Sequence, residues 1–207
     1  MMSCEESPNA TALNPTTTLT LWDAWRIGVL GFSLASLVVF ASWAFFGSWF
    51  YTTLGEMGAY IVWMIMYLVI GCEVMKGLLP GPDARIRFYQ VFSSAFAAYA
   101  ILWIVVWMIF RNRQGEALAA VFGSLVMGLR ICAAQGNLKQ WWRLWIVLSI
   151  SNLSGYFLGA WLHATLGMPW GAIAWGMAYG FLFGSGIGPA FWLARIREPL
   201  KTSPHVT

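Results

Sequence analysis

Long apolar runs alternate along this chain with short breaks rich in glycine, proline or charge. A helix needs about 17–25 mostly apolar residues to cross the hydrocarbon core of a bilayer, and six runs reach that length: 27–46, 57–78, 89–110, 117–134, 144–162 and 168–194. Gly55-Glu56, the Leu79-Pro80-Gly81-Pro82-Asp83 turn and the Arg111-Asn112-Arg113-Gln114-Gly115 turn separate the first four. The fourth run is the shortest and carries Arg130 near its end, so a tilted or partly interfacial helix is its alternative reading. Only Ala164 to Gly167 part the fifth run from the sixth, and Pro169 opens the sixth, where a missing N–H costs little. The pattern predicts an all-α, polytopic integral membrane protein of six transmembrane helices ending in a tight, glycine-rich antiparallel hairpin. Around the single membrane domain, 23–196, it predicts a polar, mobile amino-terminal tail over 1–22 and a short tail over 197–207.

Small residues fall at intervals of four in the hairpin. Gly176, Gly180, Gly184 and Gly188 share one side of the sixth run, continued upward by Ala172, and Ser151, Gly155 and Gly159 share one side of the fifth. In lipid, helices associate where small side chains let backbones approach. Facing positions of an antiparallel pair have a nearly constant index sum. Ser151 with Gly180, Gly155 with Gly176 and Gly159 with Ala172 all give 331, so the two stripes are expected to mesh. The competing use of Gly184, Gly186, Gly188 and Pro189 is to line a cavity, loosen the helix or meet another subunit.

Orientation follows from the basic residues, which favour the cytoplasmic side of short loops. With six crossings and the amino terminus inside, Arg26, Lys76, Arg85, Arg87, Arg130, Lys139, Arg143, Arg195, Arg197 and Lys201 lie inside, leaving only Arg111 and Arg113 outside. Both termini are therefore expected in the cytoplasm, and the Trp-Gly and Tyr-Gly pairs of the last run suggest a bacterial inner membrane.

Composition agrees: 59% of the residues are apolar and only 10% charged, against about 25% charged in soluble domains. Most of the fourteen tryptophans fall near the ends of the runs, where an indole suits the headgroup level. The net charge of +4 is spread over separate loops, so no nucleic-acid partner is expected. Cys4, Cys72 and Cys132 form no Cys-x-x-Cys pair and read as free thiols. The first twenty residues lack the basic start and apolar core of a secretory signal. Asn9-Ala10-Thr11 has the form of a glycosylation acceptor, on the side where that chemistry does not occur.

Few polar side chains lie in the runs. Glu73 and Arg130 sit at similar depth and could pair across helices, unless Glu73 pairs locally with Lys76 and Arg130 reaches the headgroups. Asn152 is the deepest strongly polar group and should hydrogen-bond between helices, and Ser185 stands between two glycines of the sixth run. Glu73, Arg130, Asn152 and Ser185 are the candidate polar site. Glu56 and Glu116, each just after a glycine, complement the positive end of a helix dipole. His163 reads as a wetted interfacial side chain, and with His205 in the tail no metal or other cofactor is expected.

Ala59-Tyr60 with Trp63, and Ala98-Tyr99 with Trp103, are alike, but in adjacent runs rather than in corresponding halves of an inverted repeat. The runs hold no Gly-x-Ser-x-Gly, no His-Glu-x-x-His and no path of mid-membrane ionisable groups, which argues against intramembrane hydrolysis and proton-coupled pumping. The first reading is a non-enzymatic accessory or scaffold subunit that binds other membrane subunits, a second copy of itself, lipid or pigment. A small-solute or lipid transporter or channel is the alternative. A lipid-active enzyme using Asp83, Arg85, Arg87 and Glu73 at the cytoplasmic side is the third.

Overall fold

A computed structural model describes residues 19–81 and 83–195. Residues 1–18 of the amino-terminal tail, the tail over 197–207, and with them Cys4, the Asn9 motif, Arg197, Lys201 and His205, lie outside the described residues. The described elements are helical: α1 (Leu21–Met75), α2 (Ala84–Phe110), α3 (Arg113–Ala134), α4 (Trp141–Leu166) and α5 (Trp170–Arg195). All five are long and apolar enough to cross a membrane.

The first two runs of the sequence form one element where two were expected. α1 is 55 residues long and bends at Gly55, whose φ of 69° and ψ of 175° only glycine adopts without strain. No loop intervenes, because a single residue supplies the whole reversal. The limbs, 21–54 and 56–75, fold back on each other: the hydroxyls of Ser36 and Tyr67 meet at 2.9 Å, and the rings of Phe32 and Tyr67 stack at 5.4 Å.

Each start and stop has a local cause. Thr20 caps α1 in a capping box with Asp23. Asn112 accepts the Gly115 N–H at 2.8 Å and starts α3, whose 22 residues make about 33 Å at the usual rise. Gly167, at φ 67°, ends α4. α5 then begins directly after Pro169.

α5 lies between α1 and α4 and uses its glycines on both sides. The four-glycine stripe does not mesh with α4 as the index sums predicted. A Cβ at Gly176 would meet Phe40, one at Gly180 the backbone of Ser33, one at Gly184 the carbonyl of Gly28 and one at Gly188 the carbonyl of Ala24, all in the first limb of α1. The α4 partners are rotated around the helix: Gly155 faces Tyr179 and Leu182, Gly159 faces the Trp175 ring, and Ser151 faces Gly186. A helix packed between two neighbours must give each a different face, and the four-residue stripe is the one closest to α1. Gly184, Gly186 and Gly188 are buried in these contacts, and Ala172 is buried as well.

Outward faces are apolar. Ile61, Ile65 and Val69 on α1, and Ile101, Val105 and Ile109 on α2, are exposed at four-residue intervals, a surface that hydrocarbon tolerates and water does not. The interior is aromatic: Phe88 stacks on Phe92 (5.4 Å), Phe92 on Phe96 (5.5 Å), and Phe96 meets Tyr99 at 5.7 Å.

Candidate functional site

The four polar residues singled out from the sequence do not form one site. Glu73 is held by Lys76, by Arg85 at 3.1 Å and by the Tyr89 hydroxyl, whereas Arg130 is exposed and makes no ion pair with it. The local partners win because Lys76 is one turn away and Arg85 begins the next helix, so neither has to cross the bundle. Ser185 donates back to the Leu182 carbonyl at 2.7 Å within α5. Asn152 is fully buried, and its amide reaches the Tyr99 hydroxyl (3.1 Å), the Ala120 carbonyl (3.3 Å) and the Ser124 hydroxyl (3.4 Å). The expected interhelical role of Asn152 is thus visible in its bonds to α2 and α3.

Asn152 leads to a different place. Tyr99, its partner, also meets the Tyr179 hydroxyl at 3.0 Å, and both tyrosines, with Tyr67, form the deep end of a partly enclosed cavity of about 450 Å³. Its walls hold five tryptophans, six tyrosines and two phenylalanines. α1 contributes Phe40, Trp43 and Tyr51 from its first limb and Tyr60, Trp63 and Tyr67 from its second; α2 contributes Phe96, Tyr99, Trp103 and Trp107; α4 and α5 contribute Tyr156, Trp175 and Tyr179. From Tyr99 to Trp107, eight residues of helix make the lined depth about 12 Å at the usual rise.

Small residues make this arrangement possible. Gly159 leaves space for the Trp175 indole on α4, Gly155 for Tyr179, and Gly123 for the Tyr99 ring, where a Cβ would stand at 2.6 Å. Trp175 then sits among Phe40 (5.5 Å), Tyr156 (5.4 Å) and His163 (5.6 Å).

Polar groups divide by depth. At the floor they are satisfied within the protein: Tyr67 by Ser36, and Tyr99 and Tyr179 by each other and Asn152. Higher up they are not. The indole nitrogens of Trp63 and Trp175 and the Nδ1 of His163 are buried with no hydrogen-bond partner. His163 packs against Trp43 at 5.2 Å in the cavity wall with its Nδ1 buried, while the residue as a whole stays partly exposed near the end of α4. Glu116, in the first turn of α3 as the dipole argument required, also lines the cavity, facing Tyr156.

Sequence reasoning missed this cavity because it assigned the tryptophans to the headgroup belt. Trp22, Trp161 and Trp170 do stand exposed near helix ends, but Trp43, Trp63, Trp103, Trp107 and Trp175 turn inward. One signal was available. The similar Tyr60/Trp63 and Tyr99/Trp103 pairs, in neighbouring helices, both point into the cavity.

Among the described residues no group of histidine, cysteine or acidic side chains could hold a metal ion. Cys72 and Cys132 are buried free thiols. Compared with models of known families, with curated proteins and with solved structures, the chain matches none of them.

Proposed function

We propose that this chain is a six-span membrane protein that binds a small organic molecule in the aromatic cavity, as a carrier or receptor for it. The observation that carries the reading is the cavity itself. Its volume of about 450 Å³ falls in the range of roughly 300–1,000 Å³ typical of small-molecule sites, which combine apolar walls with a few placed polar groups. Tight packing is the rule in protein interiors, so a space of this size held open by thirteen rings calls for an occupant.

The six crossings are the two limbs of α1 and the four following helices. Each packs against the next: Ser36 bonds to Tyr67, Gly71 faces Phe92, Gly123 faces Tyr99, Gly128 faces Leu144 and Gly171 faces His163. Arg26, Lys76, Arg85, Arg87, Arg130, Lys139, Arg143 and Arg195 then gather at the end carrying the termini, and Arg111 and Arg113 at the other. The positive-inside rule supports cytoplasmic termini, and it opens the cavity, at the Glu116 and Tyr51 end, toward the opposite side.

The accessory-subunit reading loses ground here, since helix association alone needs no interior space. A polar path beside Asn152 and Ser185 would have favoured transport of polar solutes. The walls are instead mostly aromatic, and Ser185 lies elsewhere. Aromatic and amphiphilic cargo fits better.

The test is a thermal-unfolding screen of protein in nanodiscs with small aromatic amphiphiles, neutral and charged, on wild type and on Ala100→Trp, which places an indole in the cavity. A compound at a hundred times its Kd stabilises by about 2.7 kcal/mol, and this should vanish in the filled variant. If no compound stabilises wild type, or if Ala100→Trp responds equally, the reading fails.

A further inference from the structure

Resting on the reading of the cavity as a ligand site, we infer that its ligand is an organic ammonium ion, held through its charge by ring faces and Glu116. Two independent observations converge on this chemistry.

The first is the carboxylate. Glu116 is half-buried and lines an otherwise aromatic cavity, and among the described residues no lysine or arginine pairs with it. The positive end of the α3 dipole favours a negative charge there without supplying a counter-ion. A neutral ligand that covered Glu116 would take the charge from water and return nothing, and an anion would be repelled. A cation is favoured by attraction and by exclusion of both rivals.

The second is the walls. Ring faces attract cations through their quadrupole, tryptophan most strongly, and cages of such rings are a known solution for quaternary ammonium groups. Trp103, Tyr156 and Trp175 form a continuous surface beside Glu116, with Tyr156 lying 5.9 Å from Trp103 and 5.4 Å from Trp175. The wall already holds a cation at its rim, where the Arg111 guanidinium sits 5.5 Å from the Trp107 ring.

The experiment compares two probes of equal shape, acetylcholine and its neutral carbon isostere 3,3-dimethylbutyl acetate, by quenching of tryptophan fluorescence in nanodiscs. Wild type should bind the cation at least about tenfold more tightly, most of it from the Glu116 carboxylate and the rest from the ring faces. Glu116→Gln should abolish most of that preference while leaving the isostere within about twofold, and Glu116→Asp should retain it. Equal affinities in wild type, or a preference that survives Glu116→Gln, would overturn the assignment. If neutral aromatics alone stabilise wild type and lose that effect in Ala100→Trp, the ammonium assignment falls while the cavity remains a ligand site. If no probe or screened compound binds, both fall.

Discussion

Gly28 and Gly184 meet backbone to backbone: a Cβ built on either would stand 2.5 Å from the other's carbonyl oxygen. α1 and α5 therefore approach more closely than any side chain permits, and hydrocarbon offers little else to hold helices together than such contact. Trp175, Tyr179 and Phe183, also four apart, project from another part of the α5 surface into the aromatic interior. One helix thus supplies both a backbone-to-backbone junction and part of the cavity wall.

Gly184→Ala should destabilise the fold by about 1–3 kcal/mol, the usual cost of overpacking, and Gly184→Leu by more. Gly77→Ala is the control, since its Cβ would meet only the end of Ile27 at 3.4 Å, and it should stay within about 0.5 kcal/mol. Unfolding in mixed detergent micelles, followed by circular dichroism, measures both. Equal stability of the two variants would contradict the close junction.

At Gly55 the cost has a different origin. Nothing lies within 4 Å of a Cβ there, so Gly55→Ala meets no neighbour and pays only for its backbone angles, about 1–3 kcal/mol. The loss should appear in the same unfolding assay. Proteolysis at the bend should also become faster.

Asn152→Leu removes the amide that joins α4 to α2 and α3 and should cost about 1 kcal/mol, the size of interhelical hydrogen bonds measured in membrane proteins. Asn152→Asp should cost more, because it buries a charge with no cation beside it. A smaller loss for Asp than for Leu would show that this position is hydrated.

Glu73 and Arg130 should show no coupling in a double-mutant cycle of unfolding free energies. Glu73 with Arg85 should show a small coupling that fades with added salt, as exposed pairs do. A larger Glu73/Arg130 term would restore the interhelical ion pair that the geometry lacks.

Hydropathy made the helices legible, since a run of twenty apolar residues has few other fates, and the breakers marked the turns. Which helix meets which was harder to read. Positions 24 and 188, 28 and 184, 32 and 180, and 36 and 176 all add to 212, as good a register with α1 as 331 is with α4. An index sum tests whether two antiparallel faces can align but says nothing of how they are rotated, and rotation decided the partner. The cavity was hidden for a related reason. A tryptophan near a helix end serves the headgroup region or the interior equally well in hydropathy, and only the direction of its Cα–Cβ bond separates Trp161 from Trp175. Glu116 was read correctly as a first-turn acid, but its second exposure, toward the rings, depends on α2 and α4 standing beside it.

The ladder from Phe88 through Phe92 and Phe96 to Tyr99 closes the interior beneath the floor tyrosines, each ring in contact with the next. Under the proposed reading the ligand site is a cup rather than a pore, and its occupant leaves over the rim by which it came unless the stacked rings slide apart.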